Sequence, residues 1–422
     1  MVVLPSRFIS ELNKLPQTMI NSRLCHAYSM TGHLNGMNIV LKTNLHVRVL
    51  HNRITSALPD LLKPVSARIG ETIKSIFTQN TDSWNTVEPM DLVVYSVSRG
   101  VSLANVGAPL CDDPDFIRLI CEHTKNVFTV MFAMRLVPAF LQPFIVWLLP
   151  YKWRLRRSLK GLEQIVSPRL KQRKLEKTQP EPTDLLSWMI KDARNEQEAD
   201  PQVLAELLAA LAAGGIYSSA NLIVSTLLDL TANPHFLEEI REEISAKQTE
   251  VNGNWDYAAF NSLHKLDSAL KETVRLTPGS LTTYSRVMLD DHTLSNGLTL
   301  KKGQFICVSS FCRSKDPRVY DNPETYDALR AYNHDLQDHL ARPFRNVYDD
   351  LRWGAGRWAC AGRYLATLVV KVILVKLIDE FDFQFPDGPS RPPNSVLHEF
   401  IFIDPSTKLM MRRRKSDSGI VY

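Results

Sequence analysis

The residues with the clearest chemistry lie around Cys360, near the end of the chain. Gly354 and Gly356 precede this cysteine, and Arg357 lies three residues before it. Glycines let a backbone pass close to a flat group. A largely apolar stretch follows at 364–381, and we predict a helix that starts at the cysteine itself. A thiolate there would face unpaired N–H groups, which lower its pKa and suit it to bind a metal cation.

A lone cysteine is more often a buried core residue than a ligand, and the residues around Cys360 decide between the two readings. The residues that form the pattern are Trp353, Gly354, Gly356, Arg357, Cys360 and Gly362. An aromatic residue followed by Gly-x-Gly-x-x-x-Cys-x-Gly, with an arginine between, resembles the haem-binding signature of the cytochromes P-450. The resemblance implies that Cys360 is the axial thiolate ligand of haem b, and such a ligand favours O–O bond cleavage. Trp358 and Ala361 stand where fungal members often carry histidine and proline.

The longest predicted helix carries the second group of candidate residues. Asp200 is a good N-cap and Pro201 a good first helical residue, and we predict that the helix ends near Thr231. The stretch 207–228 has no charge, which a membrane span would also allow. Small and hydroxylated residues at its centre favour a core helix whose backbone another group approaches closely.

The centre of this helix resembles the oxygen-activating segment of the same family. The residues are Gly214, Gly215, Ile216, Tyr217, Ser218 and Ser219. In the family the first hydroxyl after an acid helps to deliver protons for oxygen activation, and Ser218 holds that position with Ser219 beside it. Tyr217 replaces the acid. The alternative for Ser218 is a hydrogen bond to the carbonyl four residues earlier, which often bends helices. The first three residues of the segment are expected to line the substrate pocket.

Glu272 and Arg275 lie three residues apart on a predicted helix and therefore share one face. Such a pair is usually a solvated surface pair worth less than about 1 kcal/mol. Its position relative to the cysteine, together with Arg330 in a downstream segment, matches a buried network of the resembled family. The resemblance implies that these three residues fix the cysteine loop so that haem is retained.

Two arginines, Arg286 and Arg357, match family positions that pair with haem propionates. The planar guanidinium fork suits a carboxylate. An earlier helix should supply one more partner, and the sequence does not decide among the basic residues of that region, which are His46, Arg48, His51 and Arg53.

Four further residues match substrate-lining segments of the family: Leu281, Thr282, Phe400 and Ile401. The alternative is that they are ordinary strand and core residues.

Composition narrows the possible partners of the 422-residue chain. None of its six cysteines is spaced as C-x-x-C, so neither a zinc site nor a disulfide framework is predicted. The net charge of +5 fits an acidic protein, an anionic membrane or a nucleic acid, so it does not choose among these partners. No aromatic interleaving of the basic runs supports nucleic-acid binding. No flavin or nicotinamide fingerprint is present, so electrons must come from another protein, and the resemblance implies an NADPH–cytochrome reductase.

The stretch 127–151 has a single charge, Arg135, and its length would allow a membrane span. Pro138, Pro143 and Pro150 would break such a helix. Basic residues follow directly: Lys152, Arg154, Arg156, Arg157 and Lys160. An apolar segment followed by a basic one is typical of peripheral contact with a membrane. The compatible alternative is an apolar hairpin over the substrate cavity with a solvated basic helix behind it. By resemblance, the membrane would be the cytosolic face of the endoplasmic reticulum.

We predict a mainly α fold with small β-sheets (α+β), in which haem lies between the long central helix and the cysteine loop. Strands are predicted at 282–287, 292–300, 304–308, 400–403 and 408–412. A proline-bearing stretch at 179–182 separates two helical regions. No composition shift marks a second domain, so residues 1–422 are predicted to form one haem-binding domain. Because family members usually begin with an anchor, a hinge and the first strands, we expect roughly 80 family residues to be missing before Met1.

Together these observations predict a haem-thiolate monooxygenase that inserts one oxygen atom of O2 into a lipophilic substrate. The segments 265–268 and 151–157 look most like fungal enzymes that oxidise terpenoid secondary metabolites. Two alternatives stay open. One is an isomerase or dehydratase of the same fold that needs no reductase, which Tyr217 in place of the acid favours. The other is an inactive, truncated haem-binding remnant, which the short N-terminus favours.

Overall fold

A computed structural model describes residues 1–175, 183–348 and 351–422, so the proline-bearing stretch at 179–182 lies outside the described residues. Its longer helices are α1 (Ser22–Ser29), α2 (Thr55–Ile76), α3 (Pro89–Val106), α4 (Pro114–Arg135), α5 (Pro150–Leu175), α6 (Leu185–Asp192), α7 (Pro201–Ala232), α8 (Pro234–Glu250), α9 (His264–Leu276), α10 (Arg330–Gln337) and α11 (Arg363–Glu380). Shorter helical turns are Ser6–Phe8, Ile9–Lys14, Gly32–Asn35, Ile39–Lys42, Leu45–Val49, Leu50–Ile54, Leu110–Asp112, Gln142–Ile145, Val146–Leu148, Tyr257–Asn261, Ser310–Ser314 and Gly356–Trp358.

The strands form four small sheets beside the helices. They are β1 (Val2–Leu4), β2 (Ile20–Asn21), β3 (Asn85–Val87), β4 (Thr283–Met288), β5 (His292–Thr293), β6 (Thr299–Leu300), β7 (Phe305–Val308), β8 (Phe381–Gln384), β9 (Asn394–Leu397), β10 (Phe400–Ile403) and β11 (Leu409–Arg413). The largest sheet has the order β1-β7-β4-β2, and β1 runs parallel to β7 with Val3 opposite Cys307. The other sheets are β3-β11-β8, β10-β9 and β5-β6, all antiparallel. The mainly α fold with small sheets is confirmed.

One predicted strand was wrong. Residues 292–300 form two short strands, β5 and β6, because Asn296 and Gly297 make a turn between them in which the Leu294 N–H donates to the Leu298 oxygen at 2.8 Å. Asn-Gly is the dipeptide most typical of such a hairpin turn. The prediction for β10 is confirmed, and the other strand predictions are correct to within one residue at each end.

The central helix α7 organises the core. The Asp200 side chain caps it by accepting the N–H groups of Gln202 and Val203, at 2.7 and 3.4 Å, as the N-cap prediction requires. The helix packs on α3, α4, α5, α9 and α11. It is long and apolar enough to cross a membrane, but 61% of its most apolar window is buried inside the protein. A helix that is apolar all round and covered by other helices is a core helix.

Candidate functional site

The cysteine loop joins the Gly354–Gly356 turn to α11. Gly354 and Gly356 have φ angles of +76° and +63°, in the left-handed region that glycine adopts without strain. The Cys360 N–H donates to the Trp353 oxygen at 2.8 Å. The Trp353 indole N–H donates to the Phe344 oxygen at 2.7 Å and its ring packs edge-on against Phe344. The loop is therefore fixed by its own backbone and by one aromatic anchor.

Helix α11 begins at Arg363, three residues after Cys360, so the prediction of a helix start at the cysteine was wrong. The expected direction of the Cys360 pKa also needs correction. Burial raises the pKa of this thiol, and the N–H groups of Gly362 and Arg363 and the Arg363 charge offset only part of that rise. The residue nevertheless has an exposed face. A bound cation would favour the thiolate, because a coordinating thiol loses its proton.

Arg286 on β4 is buried between two aromatic rings. Its guanidinium lies 4.1 Å from the ring centroid of Tyr284 and 4.9 Å from that of Trp358. It donates to the Ser22 hydroxyl at 2.9 Å and to the Ala355 oxygen at 3.3 Å. Only 3% of the residue is exposed, and its Nε has no hydrogen-bond partner among the described residues. A buried donor without a partner is costly, and a bound acceptor would relieve that cost.

Tyr284 is a positioning residue that the sequence did not identify. It has a φ of +54°, a strained angle for an aromatic residue, and lies where the β4–β7 register shifts. Its hydroxyl donates to Asn13 at 2.8 Å. The backbone oxygen of Asn13 accepts from Arg357, which is exposed, at 3.2 Å. A positive φ at a tyrosine has no local sequence signal, so only the folded chain reveals this link.

The basic residues of the earlier helical region differ in whether their polar atoms have partners. Arg48 pairs with Glu198 at 2.8 Å and Arg53 with Asp192 at 3.0 Å. His46 is half-buried, and its Nδ1 has no hydrogen-bond partner among the described residues. Burial lowers the pKa of His46 to about 4, and the Arg23 and Arg48 charges add to that effect. His46 therefore has a buried polar atom without a partner, whereas Arg48 and Arg53 are held in ion pairs.

The structure brings Glu272, Arg275 and Arg330 into one buried network. Glu272 accepts from Arg275 Nε at 2.8 Å and Nη2 at 2.7 Å, and from Arg330 Nε at 3.2 Å. The side chains of Glu272 and Arg275 are 3% and 5% exposed. The Asp327 N–H also donates to Glu272, at 3.0 Å. Arg275 further donates to the backbone oxygens of three residues in the following loops, namely Ser314, Pro323 and Thr325. The pair is thus not a surface pair.

At the centre of α7 the helix has one open side. Gly214 and Ser218, one turn apart, are exposed although the helix lies in the core. No atom of another described segment lies within 4 Å of the place that a Cβ would occupy at Gly214 or Gly215. The Ser218 hydroxyl donates to the Gly214 oxygen at 2.8 Å, the back-bond weighed from the sequence. That bond uses its proton and leaves its oxygen free to accept.

Three neighbours lie away from this open side. Ile216 and Ser219 are 1% and 6% exposed, so they face packed core rather than the open side, which corrects the expectation for both. Tyr217 packs against Phe128, with 6.3 Å between ring centroids. Burial raises the pKa of Tyr217 to about 12, with smaller contributions from Cys121 and Asp91. Tyr217 is consequently a poor proton donor at neutral pH.

The four substrate-lining candidates lie together. The Leu281 N–H donates to the Glu399 oxygen at 2.7 Å, and the Ile401 N–H donates to the Gly279 oxygen at 3.2 Å. The segments containing Thr282 and Phe400 therefore run side by side. Ile401 is buried, whereas Phe400 is partly exposed. The Ile403 N–H donates to the Asn221 side chain of α7 at 2.9 Å, which anchors the hairpin to the central helix.

Comparison with known proteins identifies the family. Residues 17–411 match the sequence pattern of the family described as Cytochrome P450. The Cytochrome P450 monooxygenase AN1598 of Emericella nidulans is 30% identical over 421 residues, which cover 98% of this chain and 78% of that protein. The Cytochrome P450 monooxygenase penP of Penicillium crustosum is 31% identical over 100% of this chain and 82% of its own. The Ent-kaurene oxidase of Gibberella intermedia is 28% identical over 98% and 79%.

This chain belongs to the cytochrome P450 family. As a P450 it is a haem monooxygenase, an oxidoreductase whose haem iron is held by a cysteine thiolate. Its relatives are fungal P450 monooxygenases, and one is named for the oxidation of ent-kaurene.

The residues of this P450 fit a haem group. Cys360 supplies a thiol with an exposed face, and the buried Nε of Arg286 lacks an acceptor. Open space lies beside Gly362, where an added Cβ would meet no other segment within 4 Å, as at Gly214. The thiol suits the iron of haem, the cationic donors suit its two carboxylates, and the space beside the glycines suits its flat ring.

A separate cavity of about 690 Å³ lies behind the Glu272 network. Its walls come from α9, α10, the turn Ser310–Ser314 and the segment 278–283, so Thr282 belongs to the lining, whereas Cys360 and Ser218 do not. This cavity does not contain the thiol or the open side of α7, so the chemistry is not assigned to it.

Proposed function

We propose that this P450 is a haem-thiolate monooxygenase that oxidises a lipophilic, terpenoid-type secondary metabolite with electrons from an NADPH–cytochrome reductase. Cys360 is the iron ligand. One observation carries the proposal: an exposed thiol in a loop of the haem signature occurs together with a glycine-bearing open side at the centre of a core helix. When bound, haem supplies the activation of O2 and the transfer of one oxygen atom to a C–H or C=C bond.

On the cysteine side, the chain's residues hold the ligand still. Burial raises the pKa of Cys360, and the N–H groups of Gly362 and Arg363 offset part of that rise because they stabilise a negative charge on its sulfur. Arg286 and Arg357 bind the two carboxylates, and His46 is the additional partner from the earlier helix. Arg275 donates to the backbone oxygens of Ser314, Pro323 and Thr325, and through these bonds the Glu272 network holds the segments that contain them.

On the opposite side, Ser218 holds a water from which a proton can be delivered. Its hydroxyl donates to the Gly214 oxygen, so its free lone pairs can accept from a water beside the glycines. Because position 217 carries a tyrosine and not an acid, the Ser218 hydroxyl is the polar side chain on the open side of residues 214–219.

The terpenoid class is supported by the aromatic and apolar wall beside the open helix side. The Phe400 ring packs edge-on against the Phe132 ring, with 5.6 Å between centroids. The Phe402 ring centroid lies 6.1 Å from that of Phe132. Such a wall offers area and few hydrogen bonds, which suits a hydrocarbon skeleton. One relative is named for ent-kaurene, a hydrocarbon of the terpenoid class.

Membrane contact is a second part of the proposal. Phe140, Phe144 and Leu148 are 74%, 73% and 80% exposed in the segment that follows α4. Trp147 and Trp153 lie close together, and Arg156 lies within 6 Å of both ring centroids. Exposed apolar residues beside tryptophans and cations are typical of a membrane–water interface. We assign this surface to the endoplasmic reticulum membrane, facing the cytosol.

The test uses haem-loaded protein, an NADPH–cytochrome P450 reductase and ent-kaurene as the first probe of a panel of terpenoid hydrocarbons, under ¹⁸O2. We expect a product that contains one ¹⁸O atom and forms only when the reductase is present. A product that forms without the reductase and without ¹⁸O would instead favour the isomerase or dehydratase alternative, which the poor acidity of Tyr217 keeps open. Protein that binds haem but forms no product, with or without the reductase, would favour the inactive haem-binding remnant.

A further inference from the structure

Arg135 is the single charged residue in the apolar stretch 127–151, and it lies at the last position of α4. Its side chain is only 16% exposed, while the next residue, Leu136, is 73% exposed. A guanidinium that turns back into the protein loses hydration, so it needs well-placed partners. Those partners come from two segments far away in the sequence.

The first partner is Ser29, at the end of α1. Arg135 Nε donates to the Ser29 oxygen at 3.0 Å, and Arg135 Nη2 donates to the Ser29 hydroxyl at 2.8 Å. The second partner is Glu399, directly before β10. Arg135 Nη1 donates to Glu399 Oε2 at 2.7 Å, and the Ser29 hydroxyl reaches Glu399 Oε1 at 3.5 Å. One arginine therefore joins α4, α1 and the last hairpin.

The same arginine holds the aromatic wall. Its guanidinium lies 5.2 Å from the ring centroid of Phe400, and Phe132, one turn earlier on α4, packs edge-on against that ring. Glu399 is tied from the other side, because its backbone oxygen accepts from Leu281. Partial burial raises the pKa of Glu399, but hydrogen bonds and the Arg135 charge outweigh it, so the pKa lies below its ordinary value. The pair is charged at neutral pH.

We infer that Arg135 and Glu399 are a positioning pair that holds the Phe132–Phe400 wall closed over the substrate cavity and so limits how fast large ligands enter. The inference rests on the proposed haem site, since the cavity is the space between that wall and the cofactor. Both charges are held in a partly buried setting, so removing one leaves the other without its partner and releases the hairpin from α4.

The experiment measures the association rates of two azoles with the haem iron in the holoenzyme. Imidazole is small enough to pass a narrow opening, whereas clotrimazole is bulky. In Glu399→Gln and in Arg135→Met we expect clotrimazole to associate about tenfold faster, because the open state is no longer rare. Imidazole should keep its rate. Arg118→Met is the matched control, since Arg118 lies on the same helix in an exposed pair with Asp115 and touches none of these residues.

The double variant Arg135→Glu/Glu399→Arg restores opposite charges and should return the clotrimazole rate close to that of the wild type. Arg135→Lys keeps the charge but loses the fork, so it should give an intermediate rate, and it decides the matter if the other single variants do not fold. Faster entry of both azoles would indicate general loosening and would overturn the inference. Unchanged clotrimazole rates in folded, haem-loaded variants would overturn it too. Wild-type protein without a haem-thiolate spectrum would instead refute the proposed function.

Discussion

The cysteine side and the helix side of the haem site are held by different forces. On the cysteine side, Glu272 accepts four hydrogen bonds and Arg275 donates to three backbone carbonyls, in buried or partly buried surroundings. On the helix side, Gly214 borders open space and Ser218 bonds only to its own helix. The first side is held by charge, and the second by apolar packing around a gap.

In the proposed function, this difference separates the residues that retain the cofactor from those that select the substrate. A thiolate ligand needs a fixed loop, and buried charge networks with complete partners supply rigidity. A lipophilic substrate needs space and apolar walls with few directional contacts. Substitutions on the cysteine side should therefore change haem retention, whereas those on the helix side should change the outcome of turnover.

The largest effect is expected for Glu272→Ala. It leaves Arg275 buried without its carboxylate, at a cost of about 3–5 kcal/mol in the free energy of unfolding. We expect protein that is purified largely without haem, measured as the ratio of haem to protein together with the urea midpoint. Asp291→Ala is the matched control, because its partner Lys301 is 62% exposed and the pair lies on the surface. Full haem loading in Glu272→Ala would show that the charge network is not what retains haem on the cysteine side.

A smaller effect is expected for Arg286→Lys. Lysine keeps the charge but cannot stack flat between Tyr284 and Trp358, so we expect haem transfer to apomyoglobin to be about tenfold faster. Arg357→Lys should change the transfer rate far less, because Arg357 is exposed and lies beside one ring only, 5.3 Å from the Trp358 centroid. Equal rates in the two variants would mean that the aromatic stack does not position Arg286.

On the helix side, Ser218→Ala should leave haem retention unchanged. We expect coupling of NADPH consumption to product to fall by at least about tenfold, with the lost electrons recovered as hydrogen peroxide, because proton delivery slows. Tyr217→Phe should have the smallest effect, since the pKa of Tyr217 is near 12 and the ring mainly packs against Phe128. If both variants stay coupled, the proton path does not use this segment.

Sequence reasoning succeeded where spacing alone brings residues together. Glu272 and Arg275 lie three residues apart on one helix, so they share a helix face whatever the rest of the fold is. The N-cap of α7 was predicted for the same local reason. The start of α11 was missed because its first helical hydrogen bond runs from the Ala366 N–H to the Gly362 oxygen, which places the first helical residue at Arg363.

Contacts between distant segments could not be predicted. Arg135 and Glu399 are 264 residues apart, and the Arg286 stack depends on a positive φ at Tyr284. The direction of the Cys360 pKa shift was also predicted wrongly. The N–H groups at the start of the helix lower this pKa, but the desolvation that comes with burial raises it by more. Ile216 and Ser219 were predicted to face the open side of α7 but are buried. An apolar helix has no amphipathic pattern that indicates which of its sides is open.

The most direct test of the central claim is the absorption spectrum of the reduced, carbon-monoxide-bound protein. If Cys360 is the iron ligand, the wild type shows the red-shifted Soret band of thiolate ligation and Cys360→Ala loses it. Cys312→Ala, which removes another exposed cysteine, should keep the band. A Cys360→Ala protein that retains the red-shifted band would contradict the account.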